Sequence, residues 1–308
     1  MPFKYRVYGL NVESDLELPE LSPARDGSTD VSIQMGDVPD HLEGGRIFRT
    51  WIEATADACL VKSPGVGRYL VKDGRTITVD RRIDREKERG SGCPPTDLRL
   101  YLLGSALGAL LHQRGDLPLH VGAVQMSQGA WAFTGPSGAG KSTLVGWLMQ
   151  KRGWEICSDD VSVVRPDRGM PHVYPGPRKL KLCEDAVDHL GFRDEKLVRD
   201  LSHSQKFQLY FAEDNPPKDP QPLRALVLLE VAADEETPSL VRLNGTEAFA
   251  ACMFAIYRPY MAKWFRDPAA LLKDVAQLAD QIDVYRLRRR WTLASMEEQL
   301  RPLLERMR

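Results

Sequence analysis

Residues 135–143 read Gly-Pro-Ser-Gly-Ala-Gly-Lys-Ser-Thr, a full match to G-x-x-x-x-G-K-[ST]. Each position has a chemical reason. Gly135, Gly138 and Gly140 let backbone N–H groups turn toward phosphate oxygens without a Cβ in the way, and Pro136, Ser137 and Ala139 complete the cradle. Lys141 is placed to reach β- and γ-phosphates, and Ser142 to offer its hydroxyl to Mg²⁺. Thr143 lies in the first turn of the helix that should follow, whose positive dipole end also favours an anion. The pattern predicts a nucleotide site with ATP and Mg as its ligands. The chain has no guanine-reading N-K-x-D stretch, which leans against GTP.

Such a loop needs a metal-holding acid on a neighbouring strand. Glu230, closing the apolar run RALVLL, is one candidate, and Asp159-Asp160, after WEIC and Ser158, is the other. An adjacent pair of carboxylates is often only a polar turn between strands. Asp159, however, comes 18 residues after Lys141, and two acids near a phosphate can divide labour. One holds Mg²⁺ and the other accepts a proton from an attacking hydroxyl. His120, 15 residues before Gly135 in PLHVGAV, reads either as a core histidine bonded to backbone or as a member of this site.

These residues need strands and helices to position them. Periodicity predicts strands over 119–126 and 130–134, a helix over 141–151, and strands over 155–158 and 161–165. Further strands fit 179–182, 207–211, 226–231 and 284–287, and helices fit 246–257, 268–281 and 295–307. Residues 98–112 read as a helix, apolar nearly all round and so expected to be buried. Before residue 95 the chain is β-rich. Short apolar runs at 5–9, 31–35, 47–53, 59–61, 69–71 and 77–79 are separated by turn dipeptides such as Gly44-Gly45 and Asp73-Gly74. The polar Gly/Pro-rich stretch 84–95 reads as a linker. This gives a β-rich N-terminal domain over 1–95 and an α/β P-loop catalytic domain over 96–308.

Composition narrows the setting. The 308 residues carry 42 Lys plus Arg against 43 Asp plus Glu, a net charge of -1. That balance argues against nucleic-acid binding as the main task. Five cysteines (Cys59, Cys93, Cys157, Cys183, Cys252) stand apart without a CxxC pair, so neither a disulfide framework nor a zinc ribbon is expected. No secretory signal and no lipid-facing stretch is visible. The expectation is a cytoplasmic protein without a membrane partner.

Together, Leu119-His120-Val121-Gly122, Gly135–Ser142 and Asp159-Asp160 resemble the catalytic domain of HPr kinase/phosphorylase. The resemblance is good from His120 to Val164 and loose elsewhere. It implies that Asp159 is the acid/base for a serine hydroxyl, that Asp160 is the metal-side acid, and that His120 supports Asp159. Val121 intervenes where the family usually has Gly after His, and Thr143 stands where Glu is common. The Gly-rich segment tied to the reverse, phosphorolytic reaction is not found, so kinase activity is what the resemblance implies. The opening YRVYGLNVESDLELPEL is similar to that of a bacterial HPr-kinase-like subgroup. Some of its members phosphorylate a serine of ribosomally made peptides, including lasso peptides. The implied partner is a peptide or small protein with an acceptor serine, and a homo-oligomer is possible by the same resemblance.

Arg178, Lys179 and Lys181, in PGPRKLKL, can bring positive charge to a phosphoryl group in flight. The resembling subgroup often has a lysine in such a stretch, which selects Lys181. His203 and Lys206 read as a polar surface loop, and Arg258, in IYRPY, as a residue able to reach phosphate. The arginine-rich tail, with Arg286, Arg288, Arg289 and Arg290, reads as a solvated face or a docking surface for an acidic partner. Two other readings stay open: a kinase of a carrier protein or small molecule, and a nucleotide-dependent switch.

Overall fold

Turn residues interrupt the first eighty residues so often that no helical face can complete, and the apolar positions pair as strands instead. The computed structural model describes residues 1–24, 27–81, 95–167, 169–177, 179–192, 196–199, 206–211, 219–233, 236–290 and 292–307. The chain divides into two units, one of Met1–Pro118 with Tyr257–Pro268 and one of Leu119–Ile256 with Ala269–Arg308. The first unit thus extends past the expected boundary at residue 95 and gains a helix, Pro259–Phe265, from the C-terminal part. Residues 84–94 of the expected linker lie outside the described residues.

In the first unit the strands are β1 (Phe3–Val7), β2 (Leu10–Ser14), β3 (Ser22–Pro23), β4 (Val31–Met35), β5 (Arg46–Arg49), β6 (Ile52–Ala54), β7 (Ala58–Ser63), β8 (Gly67–Lys72) and β9 (Thr76–Asp80). They form one sheet in the order β3-β1-β2-β4-β9-β8-β7-β6-β5. The pairs β2–β4 and β4–β9 are parallel. The run 47–53, expected as one strand, is a hairpin, because the chain turns at Thr50 and Trp51. The helix expected over 98–112 is two helices, Pro95–Tyr101 and Leu107–Gln113, joined by a wider π turn at Leu102–Ala106. Its apolar residues Leu98, Leu102, Leu103, Leu107, Leu110 and Leu111 are buried, and the segment packs on β7 and β8. Each such leucine contributes about 1.5–3 kcal/mol by leaving water.

His112, at the end of this segment, is fully buried. Its Nε2 lies 2.7 Å from the Tyr257 carbonyl oxygen, so Nε2–H donates. Its buried Nδ1 has no partner, and a second proton there would be unsatisfied. Burial, partly offset by the Tyr257 carbonyl, pulls the ring down from 6.5 to about 4. A depressed histidine leaves its stabilisation intact above the unfolded value and loses it as pH falls from 6.5 toward 4. Urea unfolding across that window should show His112→Gln, which keeps a donor for Tyr257, gaining about 3 kcal/mol on the parent as pH falls. A constant difference between the two would refute the account.

The second unit is built around β11 (Gly122–Met126), β12 (Gly129–Thr134), β13 (Glu155–Ser158), β14 (Ser162–Asp167), β15 (Met170–Tyr174) and β19 (Gln221–Val231). The chain enters it through β10 (Leu117–Leu119). The strand expected over 119–126 is broken at His120 and Val121, where the His120 N–H turns to the Ala255 carbonyl (2.6 Å). The sheet runs β14-β15-β19-β12-β11-β13, and β21 (Asp283–Arg289) pairs with both β19 and β20 (Ser239–Leu243). Strands β12, β19 and β21 are mutually parallel, so β19 has strands on both sides and reads as a continuous apolar run. A separate sheet, β16-β18-β17, joins Lys179–Cys183, Lys206–Tyr210 and Lys196–Arg199. The helix Lys141–Arg152 packs on β11 and β16. Phe133, Leu144, Val145, Leu148, Leu180, Val227, Leu229 and Leu287 form the core beneath it. The helices expected over 246–257 and 295–307 span Gly245–Phe254 and Met296–Arg306. Among the described residues no helix is long and apolar enough to cross a membrane.

Candidate active site

Strand directions bring the chemically interesting residues to one end of the second unit's sheet. β11 is antiparallel to both β12 and β13. The start of β11, after His120 and Val121, therefore meets the end of β12, before Gly135, and the end of β13, before Asp159. The Thr134 hydroxyl ties two of these points by donating to the His120 carbonyl (3.2 Å).

The loop of residues 135–143 follows β12 directly. It turns on Gly138 (φ 85°) and Gly140 (φ 82°), and Gly140 caps the helix Lys141–Arg152. The Lys141 ammonium donates to the Gly135 and Pro136 carbonyls (2.9 and 3.3 Å) and so lies across its own loop. Burial lowers its pKa, Asp159 and Asp160 oppose that, and Lys206 adds to the lowering.

The two aspartates point to different surroundings. Asp159 is 4% exposed. Its Oδ1 accepts from the Ser142 hydroxyl (2.9 Å) and its Oδ2 from the Lys181 backbone N–H (3.0 Å). Burial raises its pKa, Asp160 adds to the rise, and these two hydrogen bonds oppose it. The Asp160 side chain is about half exposed, at 48%. Its backbone is left-handed (φ 71°), and the Val161 N–H bonds the Asp159 carbonyl across it (2.9 Å). That is a γ-turn of the rare, strained hand. The Ser158 and Ser162 hydroxyls bond each other and pin both ends of the turn.

His120 holds Asp160. Its Nδ1 is 2.9 Å from the Asp160 carbonyl oxygen and 3.3 Å from the carboxylate. A carbonyl oxygen only accepts, so the proton is on Nδ1. Burial alone would raise the Asp160 pKa, but His120, Lys179 and Lys181 outweigh it and hold the carboxyl well below the ordinary aspartate range. The hydrogen bond from His120 thus runs to the second aspartate, whereas the resemblance implied support for the first.

Lys179 and Lys181 share one face of β16, and Leu180 and Leu182 of the other face are buried in the core. Lys181 therefore acts twice, by its amide on Asp159 and by its charge on Asp160. Lys206, read as a surface loop, begins β18 opposite Cys183. Glu230 pairs with Arg286 (3.1 Å) and Arg288 (3.7 Å), whereas Asp159 meets the loop through Ser142. Arg258 belongs to the first unit. Arg178 and His203 lie outside the described residues.

One contributor has no local signal strong enough to single it out in the sequence. Arg289, read as part of a solvated or docking tail, is 2% exposed and places Nη2 3.4 Å from the carbonyl of Ala139 in the loop of residues 135–143. Its signal was the alternation along β21, which turns Leu287 and Arg289 to the same buried face. Gly122, the end of the Leu119–Gly122 run that carries the resemblance, has a steric reason to be glycine. A Cβ there would stand 2.7 Å from Val145 Cγ2 and 3.2 Å from Asp159 Oδ1. Gly122→Ala should cost about 1–3 kcal/mol by overpacking and weaken nucleotide binding by displacing Asp159. Denaturant midpoints and nucleotide titration read the two effects, and an unchanged variant would refute the close approach.

The donors at the loop fit Mg²⁺, a hard cation that takes oxygen ligands and relies on one or two protein groups plus phosphates. Ser142 Oγ and the Asp159 carboxylate are such a pair. Among the described residues no cluster of three or more His, Cys, Asp or Glu side chains could hold a metal by itself.

No protein-family model matches the chain, and no curated protein does. Among solved structures it is similar to the Hpr(Ser) kinase/phosphatase from Coxiella burnetii, at 10% sequence identity and a TM-score of 0.29, over 62% of this chain and 97% of that one.

Proposed function

We propose that the chain is an ATP-dependent kinase that transfers a γ-phosphoryl group to a serine hydroxyl of a peptide, with a ribosomally made, lasso-type peptide as the first substrate to try. The observation that carries this reading is the separation of the two aspartates beside the phosphate loop. Asp159 is buried and spent on Ser142 and the Lys181 amide. Asp160 is turned outward by a left-handed backbone and kept ionised by His120 and two lysines. A nucleotide switch needs the first acid only. The second has a use if a hydroxyl must lose a proton.

On this reading Ser142 and Asp159 hold Mg²⁺, which when bound neutralises phosphate charge. The serine oxygen forms its bond to the γ-phosphorus as the bond from that phosphorus to the β–γ bridging oxygen breaks. ADP leaves with the bonding electrons, and the hydroxyl proton passes to Asp160. A carboxylate of low pKa suits this task because the transfer is loose, so the proton moves late, when the serine oxygen has become acidic. Lys141, Lys181 and Lys206 supply positive charge around the loop. The roles of the aspartates are thus the reverse of those implied by the resemblance.

Intact mass spectrometry after incubation with Mg-ATP and a lasso-type precursor peptide ending in serine tests the proposal, with HPr protein in parallel. Phosphate on the peptide supports it. Phosphate on HPr makes the protein a carrier-protein kinase. ATP hydrolysis with no acceptor modified refutes peptide transfer and favours the switch.

A further inference from the structure

The first unit gathers three arginines, Arg46, Arg49 and Arg258, that pair with no acid among the described residues. The Arg258 guanidinium donates to the hydroxyls of Tyr257 (3.0 Å), Tyr260 (2.8 Å) and Ser105 (2.8 Å). It lies 5.0 Å from the Trp51 ring centroid and 5.2 Å from that of Tyr257. Arg49 stacks on Tyr260 (5.6 Å) and Arg46 on Trp264 (5.7 Å). Tyr260 and Trp264 are four apart on one helix, so they share a face. Among the described residues no carboxylate pairs with Arg46, Arg49 or Arg258, whereas Arg68, Arg99 and Arg114 of the same unit each have one. Arg258 also holds φ 46°, a left-handed conformation that a bulky side chain adopts only under constraint. A half-buried guanidinium satisfied by neutral hydroxyls and ring faces keeps its attraction for an anion, and the aromatic walls strengthen it.

Arg46 and Arg49 stand on β5, the last strand of the sheet, whose one strand neighbour among the described residues is β6. Between them Ile47 is 65% exposed. An open strand edge offers backbone hydrogen bonds to an extended chain. We propose that this face of the first unit binds an extended, acidic peptide segment along β5, with its carboxylates on Arg46, Arg49 and Arg258. If the kinase reading above holds, that segment belongs to the acceptor. Single-stranded nucleic acid is the other polyanion that arginine and aromatic residues bind, but it needs ring faces for its bases. Here the rings of Trp51, Tyr260 and Trp264 already carry guanidinium groups.

Fluorescence anisotropy of a labelled Glu-rich peptide containing one serine, titrated with the full chain without ATP, tests the site. The acidic peptide should bind, its Lys-rich counterpart should not, and added salt should weaken the complex. Arg46→Glu and Arg49→Glu, both on exposed positions, should lower the affinity roughly tenfold or more each, whether or not an Arg258 variant folds. Equal binding of the Lys-rich peptide, unaltered affinity in both variants, or displacement of the peptide by an equal concentration of single-stranded oligonucleotide would overturn the proposal. Because the assay involves no transfer, binding without phosphorylation would uphold this site while the kinase reading falls. Phosphorylation that the two variants leave untouched would do the opposite.

Discussion

Asp160→Asn should lower the rate of phosphoryl transfer by about 10²–10⁴-fold, the usual contribution of a general base, and leave Mg-dependent nucleotide binding close to that of the parent. Asp159→Asn should give the other pattern, with nucleotide affinity and its Mg dependence lost first. The distinction follows from what each carboxylate touches. Asp159 meets the hydroxyl of the phosphate-loop serine and is closed off from solvent. The Asp160 carboxylate is half exposed and lies 3.3 Å from His120 Nδ1, which also bonds the Asp160 backbone carbonyl. The pH profile adds a sign. Asp160 is held below the ordinary aspartate range, in part by His120, so the acid limb of the transfer rate should lie below that range. His120→Ala removes the hydrogen bond and should move the limb upward. Single-turnover transfer and nucleotide titration with each variant read both effects. Parent-like transfer by Asp160→Asn would return the base to Asp159.

The parts of the site that sequence displayed are those whose chemistry is local. A phosphate loop is dictated by nine consecutive residues, and a strand and a helix must flank it. The aspartate pair was visible for the same reason, since it closes an apolar run. What sequence did not display was direction. Which of two adjacent carboxylates faces the loop depends on the left-handed backbone at Asp160 and on a hydrogen bond to the Lys181 amide from a different sheet. Neither leaves a local mark. The break at His120-Val121 was hidden inside an apolar run because the Ala255 carbonyl that turns the chain there is distant in sequence. Arg289 looked like one charge in a basic tail, since burial of a guanidinium is settled by the neighbouring strands. Residues 257–268 group with the first unit, a non-local pairing that composition does not show.

Removing the phosphate-loop lysine tests the foundation under all of this. Lys141→Ala should weaken nucleotide binding and lower transfer by a further 10²–10³-fold, the usual loss for one fixed donor aimed at developing charge. In the folded chain the ammonium already lies on the Gly135 and Pro136 carbonyls, so its position is set before phosphate arrives and little ordering remains to be done. Its pKa is lowered by burial and by Lys206 and supported by Asp159 and Asp160. The cation is thus only partly compensated in the folded chain, and phosphate oxygens complete its surroundings. Deleting it should therefore cost about 1–3 kcal/mol at most, because the exposed Pro136 carbonyl can turn to water while the buried Gly135 carbonyl loses a partner. Lys141→Arg should not restore transfer. A planar fork cannot replace a compact point charge that serves two carbonyls and a phosphate at once. Nucleotide titration, single-turnover transfer and urea unfolding on the same preparations separate a lost site from a lost fold. Transfer at the parental rate in Lys141→Ala would remove the nucleotide reading, and with it the roles assigned to Ser142, Asp159 and Asp160.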